Sequence, residues 1–133
     1  MSSTFFRKLP TPLEIKTMYP VPEAVEKQKQ LNDEEIRKIF TGESDKFLVI
    51  VGPCSADRED AVLEYVERLA RVNEKTKDKL IIIPRVYTNK PRTTGEGYKG
   101  MLHQPDPNKE SDLYAGIASI RKLHIDVIKE SGL

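Results

Sequence analysis

The chain has 133 residues, the length of one ordinary domain rather than two. Its 38% apolar and 32% charged content excludes a disordered chain and reads as soluble and globular. Its 22 basic and 21 acidic residues leave a net charge of +1, which argues against a broad electrostatic grip on nucleic acid or an anionic membrane. Any anion chemistry must then come from a local cluster of basic residues.

The first stretch, residues 1–22, carries Pro10, Pro12, Pro20 and Pro22 and predicts an extended arm with one helical turn over Leu13–Met18. No apolar signal segment follows Met1: Ser2, Ser3, Thr4, Phe5 and Phe6 lead straight into Arg7 and Lys8. A helix is expected from Glu23 to Leu31. Asn32 then resembles a new N-cap, with Glu35 completing a capping box for a short second helix that sets Ile36, Ile39 and Phe40 on one face. Gly42 is its stop.

Phe47-Leu48-Val49-Ile50-Val51 is an unbroken apolar run rich in β-branched residues, the pattern of a strand buried on both faces of a parallel sheet. It ends at Gly52-Pro53-Cys54-Ser55. Ser55 or Asp57 is expected to cap a helix over Arg58–Lys75, with Ala61, Val62, Tyr65, Val66 and Leu69 inward. A second buried strand starts at Leu80 and continues through Tyr87, which gives one βαβ unit. A long polar loop spans residues 88–111, and a last helix over Asp112–Glu130 aligns Leu113, Ile117, Ile120 and Val127. The runs Phe47–Val51 and Leu80–Ile83 are too short to cross a bilayer. Two parallel strands cannot cover their own faces and edges, so the pattern points to an α/β domain that is incomplete in this chain.

Both candidate sites fall where the strands end, the place where parallel α/β folds bind ligands. The single cysteine, Cys54, excludes an internal disulfide framework and fits a reducing, cytoplasmic setting. A thiolate after the Gly52-Pro53 turn could ligate a soft or borderline metal, and the bland alternative is a small buried residue. The second candidate runs from Arg85 to Gly100. Arg85, Lys90, Arg92, Lys99, two threonines and three glycines converge there. Arginine offers a planar fork for phosphate or carboxylate, lysine a point charge, and glycine lets backbone approach an anion. Arg85, following an apolar strand, is expected at a buried position where an unpaired charge is costly, so it should meet an anion. Lys99 reads as a solvated charge. Gly95, Gly97 and Gly100 match a GxGxxG spacing, but not between a first strand and its helix, which argues against a dinucleotide site. His103 and His124 read as ordinary loop and helix residues rather than metal ligands.

Val51-Gly52-Pro53-Cys54-Ser55, Arg85-Val86-Tyr87, Lys90-Pro91-Arg92-Thr93-Thr94 and Gly97-Tyr98-Lys99-Gly100 together resemble the type I 3-deoxy-arabino-heptulosonate 7-phosphate (DAHP) synthases. The Lys-Pro-Arg-Thr-Thr string separates the chain from the related 3-deoxy-octulosonate 8-phosphate synthases. The resemblance implies an N-terminal arm with helices over residues 1–45, and the first two β/α units of a (β/α)8 TIM barrel over 46–133, a fold that takes roughly 200 residues or more. It implies the first step of the shikimate pathway, in which phosphoenolpyruvate and erythrose 4-phosphate give DAHP and phosphate. Cys54 is then a ligand of a divalent metal (Mn, Fe, Co or Zn). Arg85 and Lys90 hold phosphoenolpyruvate as catalytic residues, and Arg92 and Thr93 contact erythrose 4-phosphate. It further implies a homo-oligomer and an aromatic amino-acid inhibitor. The family's other metal ligands, a histidine, a glutamate and an aspartate, come from later strands, so the 133-residue chain alone is expected to be inactive as a synthase. The alternative is a non-catalytic remnant or split subunit that assembles with or regulates a synthase chain.

Overall fold

The computed structural model describes residues 7–133, and the apolar-segment reading of residues 1–6 lies outside them. The element order is α1 (Pro12–Met18), α2 (Glu23–Phe40), β1 (Phe47–Val51), α3 (Glu59–Thr76), β2 (Leu80–Pro84) and α4 (Leu113–Ser131). The two strands run parallel with Val49 opposite Ile82, and α3 makes the crossover, so the chain is α/β as expected. Among the described residues no helix is long and apolar enough to cross a membrane.

The helical turn expected in the N-terminal stretch is a seven-residue helix. Thr11 caps it, its side chain accepting from the Glu14 amide while the Glu14 carboxylate accepts from the Thr11 amide. Pro12 fits the first turn, where its missing N–H costs nothing, and Pro20 disfavours helix at Tyr19. The Arg121 Nε–H of α4 donates to the Tyr19 carbonyl at 3.2 Å and ties the end of α1 to the body.

The two helices expected over 23–40 are one. Asn32 does not cap, because its side chain is already engaged: its oxygen accepts from Gln28 Nε2 at 2.9 Å and its amide donates to the Gly132 carbonyl at 3.0 Å. With no competing cap the good helix formers around it carry α2 through. The stop is as expected. Gly42 adopts φ +75°, and the amides of Gly42 and Glu43 donate back to Ile39 and Lys38. Phe40, expected inward, is exposed.

Neither Ser55 nor Asp57 caps α3, which starts at Glu59 behind an uncapped Arg58. The reason is upstream: the Ala56 amide donates to the Tyr87 carbonyl at 2.9 Å, which keeps residues 55–57 alongside the end of β2. Burial of the strands also departs from expectation. Only Ile82 is buried, and Phe47 (75%) and Ile50 (63%) stand exposed. A two-stranded sheet has helical cover for only part of its surface. The core lies instead between α3 and α4: Val62, Val66, Leu123 and Val127, joined by Ala56 and by Met101 from the long loop. On α4 it is Leu123, outside the expected stripe, that is fully buried, and Gly116 is buried at the loop contact.

Candidate active site at the strand ends

The parallel register brings the C-terminal ends of β1 and β2 side by side. The Arg85 amide donates to the Val51 carbonyl at 2.9 Å, which carries the pairing one residue beyond the ladder. The chains then come so close that a Cβ on Gly52 would lie 2.0 Å from the Arg85 carbonyl oxygen, so only glycine fits. The turn that follows leaves Cys54 exposed.

Four of the five expected residues share this corner. Lys90 Nζ lies 2.9 Å from Cys54 Sγ. Arg85 Nη2 donates to the Pro53 carbonyl at 2.6 Å, next to Cys54, and its guanidinium sits 5.0 Å from the Tyr87 ring centroid. Arg92 Nε–H donates to the Tyr98 carbonyl at 2.8 Å. Thr93 is exposed on the same loop, and among the described residues no side-chain hydrogen bond ties it to the others. Arg85 corrects one expectation. It is exposed rather than buried, because it lies past the last paired residue and its guanidinium folds over the strand-end carbonyls.

Among the described residues none of these three cations meets a carboxylate; their partners are carbonyls and a thiol. The field is visible on Cys54. Lys90 beside it pulls the thiol below its ordinary range against the desolvation that pushes it up, with smaller help from Arg85 and Arg92. Alkylation of Cys54 by iodoacetamide should therefore reach its pH midpoint below that of a free thiol. In Lys90→Met that midpoint should move up, since the first cause of the shift is gone. An unchanged midpoint would mean the ammonium does not sit at the sulfur in solution.

A divalent ion needs more than this. Among the described residues no group of three or more His, Cys, Asp or Glu is placed to hold a metal, and Cys54 supplies one donor. His103 lies in the loop and His124 is exposed on α4, its Nδ1 2.6 Å from the Ile120 carbonyl. The residues present thus do not by themselves fit a metal ion.

The loop that carries Lys90 and Arg92 is more ordered than its composition suggests. The Lys90 amide donates to the Lys99 carbonyl (2.8 Å) and the Leu102 amide to the Thr88 carbonyl (2.9 Å), so residues 98–102 run back along 88–92. Gly100, at φ +100°, is where the two segments touch: a Cβ there would lie 2.3 Å from the Thr88 carbonyl oxygen. Beyond it Met101 enters the core, and the Leu102 carbonyl packs on Gly116 of α4. Tyr98, Met101 and Gly116 were not singled out from sequence. A glycine inside an apolar helix is a signal of close backbone approach, and Gly116 is that signal.

Comparison with known proteins shows the family and the fold. Residues 20–129 match the model of the DAHP synthetase I family. The chain is 34% identical over 123 residues to a phospho-2-dehydro-3-deoxyheptonate aldolase of Corynebacterium glutamicum, covering 92% of this chain and 33% of that protein. It is 36% identical over 127 residues to the Phe-sensitive phospho-2-dehydro-3-deoxyheptonate aldolase of Escherichia coli K12, covering 96% of this chain and 36% of that one. The solved phospho-2-dehydro-3-deoxyheptonate aldolase of Francisella tularensis superposes with a TM-score of 0.83 at 27% identity, over 99% of this chain and 38% of that chain. The chain therefore spans about a third of the length of the curated relatives it matches.

Proposed function

The chain belongs to the DAHP synthetase I family, and from that membership we propose that it carries the anion-binding corner of a DAHP synthase, which joins phosphoenolpyruvate to erythrose 4-phosphate and releases phosphate. The observation that carries the reading is the set of three cations at the strand ends without a carboxylate partner among the described residues. Two phosphorylated substrates repel one another, and a site that brings them together must first neutralise both.

In this reading Arg85 and Lys90 hold phosphoenolpyruvate. Lys90, now resting on a thiol, exchanges that contact for a phosphate or carboxylate oxygen, and Arg85 keeps its Pro53 anchor through one Nη while the rest of its fork faces the ligand. Arg92 and Thr93 take the phosphate of erythrose 4-phosphate. C3 of the enolpyruvate is then held against the aldehyde carbon and attacks it. Water adds at C2, and phosphate leaves by C–O cleavage. The divalent ion implied by the resemblance would take one thiolate donor, Cys54, from this chain. The same reading divides the chain into an arm with helices over 1–45 and the first two β/α units of a barrel over 46–133. Assembly into a homo-oligomer and control by an aromatic amino acid belong to the same reading; the name of the E. coli relative describes that protein as Phe-sensitive.

A thermal melt of the chain with and without millimolar phosphoenolpyruvate tests the corner directly. The midpoint should rise with phosphoenolpyruvate, and by much less in Arg85→Ala. No shift in the parent chain would remove the basis for the anion site.

A further inference from the structure

The Arg92 side chain is held by one contact that leaves its working end open. Its Nε–H donates to the Tyr98 carbonyl at 2.8 Å, and among the described residues neither Nη has an acceptor. A hydrogen bond at Nε resists rotation about the Cδ–Nε bond, so it biases the direction of the Nη edge. That edge is the one that binds phosphate through two parallel N–H···O bonds. The residue before Tyr98 makes the turn that carries the chain back past Arg92. Gly97 has φ +83°, a conformation that L side chains rarely adopt, and an added Cβ there would reach only ordinary contact with the guanidinium, 3.8 Å from Arg92 Nε and 4.0 Å from Cζ. The far side of the segment is fixed independently by Lys99, Gly100 and Met101, through the Lys90 amide, the Thr88 carbonyl and the core.

We infer that Gly97 and the Tyr98 main-chain carbonyl are the positioning element for Arg92, setting the direction of its Nη fork for the phosphate of the aldose substrate. The inference rests on the DAHP synthase reading for the identity of that phosphate, but the Arg92 geometry does not. The left-handed turn at Gly97 presents the carbonyl. The carbonyl fixes Nε. The fork is then preorganised rather than ordered at the cost of binding. Gly42 offers a matched control, since it has φ +75° with nothing within reach of an added Cβ and lies at the end of α2.

The test is Gly97→Ala against Gly42→Ala in the protein that carries this chain. Steady-state rates should show the KM for erythrose 4-phosphate raised at least about tenfold by Gly97→Ala, the loss of one oriented charge-assisted contact, with kcat and the KM for phosphoenolpyruvate within about threefold. Gly42→Ala should lower the melting midpoint comparably and leave both KM values alone. Equal effects of Gly97→Ala on both KM values, or none on either, would overturn the inference. In parallel, the Arg92 Nε–H resonance should be protected from solvent exchange in the parent chain and exposed in Gly97→Ala. Fast exchange in the parent chain would overturn the inference whatever the kinetics. Absence of turnover in the unsubstituted protein that carries this chain would count against the synthase reading alone, and the Nε–H resonance would then decide the positioning role by itself.

Discussion

Lys90→Ala, made in the protein that carries this chain, is expected to lower kcat/KM for phosphoenolpyruvate by about 10²–10³-fold, the usual loss when one preorganised charge-stabilising donor is removed. The ammonium reaches the mouth of the sheet because the Lys90 amide is pinned to the Lys99 carbonyl, and its Nζ finds Cys54 rather than a carboxylate. A lysine without a carboxylate partner keeps its charge available for a ligand. Lys90→Arg retains the charge but offers a planar fork where the corner presents a single sulfur, so it should recover only part of the loss. Rates of phosphate release at varied phosphoenolpyruvate would show it. A Lys90→Ala protein with near-normal kcat/KM would remove Lys90 from the substrate site and leave it as a partner of the thiol alone.

Gly116→Ala should produce the largest loss of stability, about 3 kcal/mol or more, above the usual range for one added methyl group in a packed interior. The methyl would lie 1.8 Å from the Leu102 carbonyl oxygen and 2.9 Å from that of Met101. Both are backbone atoms, and neither can rotate away. Gly42→Ala is the informative comparison: it meets only the left-handed backbone penalty of about 1–2 kcal/mol, with no collision. Urea unfolding would separate the two. If Gly116→Ala cost no more than Gly42→Ala, the loop would not rest on α4 as described. If the cost is confirmed, Met101 should leave the core with the loop, and the Arg85–Arg92 corner should lose phosphoenolpyruvate affinity with it.

The sequence made the strands, α3 and α4 legible to within a few residues, because an unbroken β-branched run and a 3.6-residue apolar spacing leave few alternatives. It misjudged places where a side chain has a distant partner. Asn32 read as a cap, since nothing nearby announces the Gly132 carbonyl. Ser55 read as a cap too, and its hydroxyl is buried without a partner among the described residues. Burial on both strand faces was inferred from composition, whereas Phe47 and Ile50 are exposed among the described residues. In the site, residue types pointed to a corner where Cys54, Arg85, Lys90 and Arg92 come together. The exposure of Arg85 was missed because it depends on where the ladder stops. The hairpin order of the loop was missed because glycine, proline and charge read alike in a flexible loop and in a braced one.

The braces of that loop also divide it into parts with different tolerance for change in length. Lys90 is tied to Lys99 and Arg92 to Tyr98, while the outermost residues, Thr93 to Glu96, are exposed and make only local turn contacts. Residues inserted there would lengthen a closed loop, and doubling such a loop costs only about 0.6 kcal/mol. A single residue inserted between Pro91 and Arg92, or between Tyr98 and Gly100, would slide one cation out of step with its carbonyl. The tip of the loop should therefore accept a change in length that the spacing on either side of it does not.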